Sequence, residues 1–264
     1  MKCRCVRRGD DMYGHYMTDR GRVRSVNEDA AGIFYNQANQ LLAIVADGMG
    51  GHQAGEVASQ LAITVAKEEW ESQVRLETPQ EIEAWVHLLM EKINLKIYES
   101  SLEETAYDGM GTTAVITVCL EEFVTIAHVG DSRCYICNDD TFKQVTEDHS
   151  LVNELIRTGQ ISKNDAEKHP RKNVLLRALG TEETTKIDIK TIPWNKGNRL
   201  MLCSDGLTNK ITEEELTSYV QQKDDIEALL DELIDLANER GGEDNITVAL
   251  IENNIQHEVG DTSC

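Results

Sequence analysis

Four apolar stretches of this chain run directly into, or directly out of, an aspartate. Residues 41–46 lead to Asp47-Gly48, 124–130 to Asp131-Ser132 and 199–204 to Asp205-Gly206, while Asp244-Asn245 immediately precedes the apolar run 246–251. Each stretch has the length and composition of a strand, being short, apolar and bounded by turn residues. Strand ends are rigid mounts, and strands that end side by side bring their carboxylates together. Close carboxylates repel one another unless cations offset the charge, and oxygen-only ligands favour Mg²⁺ or Mn²⁺ over zinc. Taken singly, Asp-Gly after a strand is most simply a hairpin turn, Asp131 a turn residue bonded to Arg133, and Asp244 an Asx turn. Asp47-Gly48 departs from that pattern because Met49-Gly50-Gly51 and a helical pattern follow it, not a returning strand. Asp205-Gly206 likewise precedes a helical pattern. Together the four aspartates predict a binuclear metal centre.

The hydrophobic periodicity supplies the frame. Ala54, Val57, Ala58, Leu61, Ala62 and Val65 recur at three- and four-residue spacing, as do Ile226, Leu229, Leu230 and Leu233, and both sets predict amphipathic helices. Thr78-Pro79-Gln80-Glu81 opens a further helix through Ile93, with an N-cap, Pro at N1 and Glu at N3. Strands are expected at 13–18, 31–35, 41–46, 112–119, 123–129, 133–137, 142–145, 186–192, 199–203 and 245–251. They cluster in runs interrupted by helix pairs, which predicts an α+β fold of layered antiparallel sheets and argues against a doubly wound parallel one. With 3 Pro and no low-complexity linker, the 264 residues form one domain.

Charge and cysteine usage exclude several classes. The net charge is −21, and residues 211–264 alone carry 15 acids against 2 bases. Such a surface repels nucleic acid and anionic lipid. The longest apolar run, 41–46, is far short of the roughly 20 residues a membrane span needs, so no membrane insertion is expected. The basic start lacks an apolar signal core, which places the chain in the cytoplasm with reduced thiols. Seven irregularly spaced Cys make no disulfide framework. Cys134-x-x-Cys137 is half a zinc motif, but in a strand the two side chains face opposite ways. There is no Gly-x-Ser-x-Gly elbow and no Cys-x5-Arg cradle, and Glu56 stands where a phosphate-binding loop would need Lys. Residues 157–177 run against the acidic trend: six bases (Arg157, Lys163, Lys168, Arg171, Lys172 and Arg177) face two acids. That +4 segment is either a magnet for anionic substrates or a solvated loop.

One more constellation, Arg24-x-x-x-Glu28-Asp29, follows the first expected strand. Alone it is a surface ion pair; beside a metal pair, a guanidinium can hold a phosphate bidentately. Arg20 and Arg22 are near enough in sequence to serve instead.

In combination these residues resemble the metal-dependent PPM (type 2C) protein serine/threonine phosphatases, most closely the compact bacterial branch. The resemblance is carried by Thr18-Asp19 through Arg24 to Asn27-Glu28-Asp29, Ala46-Asp47-Gly48-Met49-Gly50-Gly51-His52, Gly111-Thr112-Thr113 and Val129-Gly130-Asp131-Ser132-Arg133. Thr146-Glu147-Asp148-His149-Ser150, Ser204-Asp205-Gly206 and Asp244-Asn245 complete it, so that it spans about residues 15 to 252. It implies a four-layer sandwich of two central antiparallel β-sheets flanked by α-helices. The phosphatase domain would cover 13–254, with a flap at about 149–180 and tails at 1–12 and 255–264.

The resemblance also implies roles. Asp47 would bridge two ions and the Gly48 carbonyl would complete the first; Asp205 and Asp244 would hold the second; Asp131, with Asp205, would hold a third, weaker one. The ions would be Mn²⁺ or Mg²⁺, two or three per chain. Glu28 and Asp29 would orient metal-bound waters, and Arg24 would bind the substrate phosphate. A metal-bridging hydroxide would attack phosphoserine or phosphothreonine directly, without a covalent phosphoenzyme. The partners would be phosphoproteins and a cognate serine/threonine kinase whose action the chain reverses, with the chain a monomer. Met49 occupies the slot where eukaryotic members carry a His directly after Asp-Gly, which leaves the general acid open between His52 and a metal-bound water. The flap bases Lys163, Lys168, Arg171 and Lys172 are expected to select substrates. The rivals are a non-catalytic, metal-stabilised interaction module and a two-metal nuclease, the latter disfavoured by the net charge.

Overall fold

The computed structural model describes residues 4–6, 12–51, 53–138, 141–222 and 225–253. Within them the strands are β1 (Arg4–Val6), β2 (Met12–Asp19), β3 (Asp29–Tyr35), β4 (Leu41–Met49), β5 (Gly111–Thr112), β6 (Ala114–Cys119), β7 (Phe123–Val129), β8 (Arg133–Cys137), β9 (Phe142–Gln144), β10 (Asp188–Pro193), β11 (Arg199–Cys203) and β12 (Ile246–Asn253). The α-helices are α1 (Ala54–Ser72), α2 (Pro79–Glu103), α3 (Leu151–Arg157), α4 (Lys163–Glu167), α5 (Asp205–Thr208), α6 (Glu213–Gln222) and α7 (Ile226–Glu239). One sheet has the order β1-β2-β12-β11-β8-β9; the other has β10-β7-β6-β4-β3, with β5 paired to β4. Every pairing is antiparallel.

The run 41–46 is apolar throughout because β4 is buried on both faces. Leu41, Ala43 and Val45 pack between the sheets against Leu200, Leu202, Ala249 and Ile251. Leu42, Ile44 and Ala46 pack the other way, under Ala58, Ala62 and Trp70 of α1 and Ile93 of α2. On the far side, Met201, Val248 and Leu250 meet Leu229, Leu230 and Leu233 of α7. The layers are therefore helix, sheet, sheet, helix, the expected four-layer α+β sandwich. Cys134 packs between the sheets and Cys137 under the helices, so the two thiols cannot share an ion.

The α2 start is capped as its sequence implies. Thr78 Oγ1 accepts from Glu81 N at 3.3 Å, and Glu81 Oε2 accepts from Thr78 N at 3.0 Å. Several elements depart from expectation. Arg4–Val6, in the segment assigned to a tail, pairs with β2 from Arg4↔Tyr16 to Val6↔Gly14. β3 begins at Asp29, before the expected 31, and α2 continues past Ile93 to Glu103. The tail assigned to 255–264 lies outside the described residues. Residues 149–180 carry α3 and α4 and close at the neck through the Ser150↔Leu175 and Thr112↔Leu179 bridges. Among the described residues, no helix is long and apolar enough to cross a membrane.

Candidate metal centre and phosphate site

Period-two alternation places the site. On β4 the odd-numbered residues face the opposite sheet, so Asp47 falls at the end of that row, and its cross-strand partner on β3 is Asp29. From the other sheet, Ser204 Oγ donates to Asp29 Oδ2 at 2.7 Å and accepts from Thr247 N at 3.0 Å. The mouth between the sheets is thus closed by a hydrogen bond across it. Asp131 sits in the β7–β8 turn, Asp205 begins α5 with one residue, Ser204, between it and β11, and Asp244 lies two residues before the start of β12.

The carboxylates from these separate segments feel one another. Burial, then the charges of Asp29, Asp205, Asp131 and Asp244, pushes Asp47 well above the usual carboxylate range. Asp131 is pushed up to about 7 by burial and then by Asp205 and Asp148, with Arg133 opposing. Asp29 also rises to about 7, again mainly through burial, against the hydrogen bonds from Ser204 and Thr247. Asp205 is raised by burial and then by Asp244, while Asn209 and the charges of Arg133 and Lys172 act in the opposite direction. The convergence predicted from four strand ends is present, with Asp29 as a fifth member.

Local contacts fix each mount. Asp47 N donates to Thr113 Oγ1 at 3.0 Å, and Asp47 O accepts from Thr113 N at 2.8 Å. Thr113 Oγ1 also pairs with Ser132 Oγ at 2.7 Å, which ties the Asp131 turn to Asp47. A Cβ on Gly48 would lie 2.0 Å from Gly55 O and 2.6 Å from Glu28 O, so the chain can pass there only as glycine. Asn245 holds the 20–28 loop against Asp244: Oδ1 accepts from Glu28 N at 2.8 Å, and Nδ2 donates to Arg20 O at 2.9 Å and Val26 O at 3.0 Å. Arg24 Nη2 donates to Asp244 Oδ2 at 2.9 Å, whereas Arg20 Nη1 turns to Ser25 O at 3.4 Å. Between these two, Arg24 is the one bonded to an aspartate of the cluster. His52 lies outside the described residues.

The donor set fits hard divalent cations. It consists of oxygens alone and is strongly like-charged, and beside it two buried oxygens, Glu28 Oε1 and Asp29 Oδ1, have no hydrogen-bond partner among the described residues. Glu28 is itself raised by burial, with Arg24 opposing.

A second group escaped the sequence reading. His128, His149 and Asp188 bring potential ligating atoms within 4.8 Å of one another at the neck of the 149–180 segment. His149 and Asp188, with Arg157, Arg177 and Lys186, line a cavity of ≈ 290 Å³. His149 stood within a quoted motif, but nothing in the sequence connected it to Asp188.

A family model described as protein phosphatase 2C matches residues 18–250. The chain belongs to the protein phosphatase 2C family. The serine/threonine phosphatase stp of Listeria welshimeri is 46% identical over 252 residues, covering 96% of this chain and 100% of that protein. The crystal structure of the serine/threonine phosphatase Stp1 from Staphylococcus aureus superposes with a TM-score of 0.88 at 38% identity, covering 97% of this chain and 100% of that one. The catalytic domain of the serine/threonine protein phosphatase PstP, in complex with 2 manganese ions, superposes at 0.81 with 29% identity over 93% of this chain and 99% of that one. The chain is therefore a phosphoserine/phosphothreonine hydrolase of the bacterial 2C type, and the binding-module and nuclease readings fall away.

Proposed function

We propose that this phosphatase acts on phosphoproteins through divalent cations held by Asp47, the Gly48 carbonyl, Asp131, Asp205 and Asp244. The observation that carries the reading is the convergence of carboxylates delivered from both sheets, in which burial and neighbouring aspartate charges drive up Asp47, Asp131 and Asp205. Mn²⁺ or Mg²⁺ bound there would supply Lewis-acid activation of water and neutralise charge on the phosphoryl oxygens. The PstP complex with 2 manganese ions supports two ions per chain, and the Asp131–Asp205 coupling supports a third.

The protein's own groups divide the remaining work. Arg24, exposed and bonded to Asp244, lies at the rim with a guanidinium fork that matches two phosphate oxygens. Glu28 and Asp29 offer buried, unpartnered oxygens that can orient water. The flap at 149–180 contributes specificity. Arg157 is engaged by Glu154 and Arg177 by Asp188, which leaves Lys163, Lys168, Arg171 and Lys172 as its exposed bases outside those ion pairs, and the charge of Lys172 reaches Asp205. The chain works as a cytoplasmic monomer opposite a serine/threonine kinase, a setting that its net charge and the buried Cys119, Cys134, Cys137 and Cys203 suit.

Phosphate release from a phosphothreonine peptide, measured for wild type and Asp47→Asn in Mn²⁺ and in excess EDTA, tests this. Turnover is expected only from wild type in Mn²⁺. Equal turnover by a folded Asp47→Asn protein would overturn it.

A further inference from the structure

Gly130, the residue before Asp131, has both of its backbone polar groups held by one side of the flap neck, at His149. His149 N donates to Gly130 O at 2.9 Å, and Gly130 N donates to His149 Nδ1 at 3.2 Å. A backbone N–H can only donate, so Nδ1 carries the lone pair and the neutral ring carries its proton on Nε2. Nε2 lies 3.3 Å from Asp188 Oδ2 and 3.2 Å from Arg177 Nη1; carrying the proton, it donates to Asp188, and Arg177 Nη1 donates to Asp188 Oδ1 at 2.9 Å and fixes that carboxylate. His128 stacks against the ring, with centroids 4.6 Å apart and planes at 22°, and is itself anchored by Nε2 at 3.0 Å from Glu147 O. Burial, followed by the charges of His128 and Arg177, lowers His149 to about 4, so the ring is neutral at pH 7 as this pattern requires.

The same tautomer argues against an ion among His128, His149 and Asp188. Coordination at His149 Nε2 would move its proton to Nδ1, against the Gly130 N–H. The arrangement is built to hold Gly130. That residue needs holding: its φ is +106°, and a Cβ there would lie 2.5 Å from Thr113 Cγ2, so the turn exists only in a glycine conformation. On its other side, His149 O accepts from Leu176 N at 2.8 Å, which joins the Asp131 turn to the returning strand of the flap neck.

We propose that His149, oriented by Asp188, is a positioning residue that holds Gly130 so that Asp131 can bind a divalent cation jointly with Asp205. This rests on the reading of Asp131 and Asp205 as ligands of a third ion. The test is calorimetric titration of the full chain with Mn²⁺, counting bound ions and their affinities, for wild type, Asp131→Asn, His149→Gln and His149→Asn. Gln carries no acceptor at the Nδ1 position, whereas the Asn amide oxygen falls there and can accept from Gly130 N–H. Melting in EDTA confirms that each variant is folded.

Asp131→Asn is expected to lose the weakest class of ion. His149→Gln should weaken that class by about 10- to 100-fold and leave the tighter ions unchanged, as removal of a group supporting a metal ligand does, with His149→Asn recovering to within about threefold of wild type. If Asp131→Asn loses the ion but both His149 variants bind it as wild type does, or Asn recovers nothing relative to Gln, the positioning role is wrong while the Asp131 reading stands. If Asp131→Asn still binds every ion, the Asp131 reading fails and the inference goes with it.

Discussion

Asp29 on β3 and Asp47 on β4 are direct cross-strand partners, two like charges opposite each other at the mouth between the sheets. Directly opposed like charges destabilise a strand pair. Burial raises both groups, helped at Asp47 by the charge of Asp29 and at Asp29, which rises to about 7, by those of Asp205 and Asp244. A carboxyl whose folded pKa is raised binds more protons folded than unfolded between its unfolded value, 3.8, and about 7. Over that window the metal-free protein loses stability as pH rises. A cation that keeps these groups ionised in the folded state removes the penalty. The melting temperature in EDTA should therefore fall between about pH 4 and about pH 7. The gain on adding Mn²⁺ should widen across the same range; a gain that is flat with pH would show that the cluster is not where the ions bind.

Arg24 reaches the cluster through a single 2.9 Å bond to Asp244, with its side chain 46% exposed. An arginine in that position can swing to a phosphate without unfolding anything. Arg24→Ala is expected to lower kcat/KM for a phosphothreonine peptide by about 100-fold, mostly through KM, with Arg24→Lys intermediate because it keeps charge and loses the fork. Steady-state kinetics on the three proteins decides it. An unchanged KM would return Arg24 to the role of a surface ion pair.

Asn245 makes three hydrogen bonds that no other side chain duplicates at the 20–28 loop, and it is 4% exposed. Its removal leaves a part-buried backbone N–H and two part-buried carbonyls without these partners. Asn245→Ala should cost about 2–3 kcal/mol in denaturant unfolding. It should also reduce Mn²⁺ affinity, because the loop carries Arg24 and Glu28 and leads into Asp29 at the start of β3. Full stability in the variant would mean that the loop is held from elsewhere.

Much of this architecture was legible because buried strands announce themselves by composition. The run 41–46, apolar on both faces, identified β4, and the aspartate after it marked the site. The Thr78–Glu81 cap located the start of α2 because capping is a local interaction. What the sequence concealed was either short or remote. The α6 segment is led by Glu213, Glu214 and Glu215, and α3 and α4 are too brief to show a periodicity. The Ser204–Asp29 bond joins residues 175 positions apart and His149–Asp188 residues 39 apart. Such pairings are set by sheet packing and flap closure, which no spacing rule encodes.

The flap bases provide the last test. Lys163, Lys168, Arg171 and Lys172 are exposed on a chain of net charge −21, and the charge of Lys172 acts on both Asp205 and Glu243. A negatively charged peptide approaching an acidic surface should be drawn first to this segment. Neutralising all four to Gln is expected to raise KM for an acidic phosphopeptide by about 3- to 10-fold at low salt, with the difference shrinking as ionic strength rises. A small aryl phosphate monoester, with no charge beyond its phosphate and too short to reach the flap, should keep its KM within about twofold, since it draws on the metal centre and Arg24 alone. Equal KM increases for both substrates would place these bases at the reacting phosphate, and no increase for either would leave the +4 segment a solvated loop.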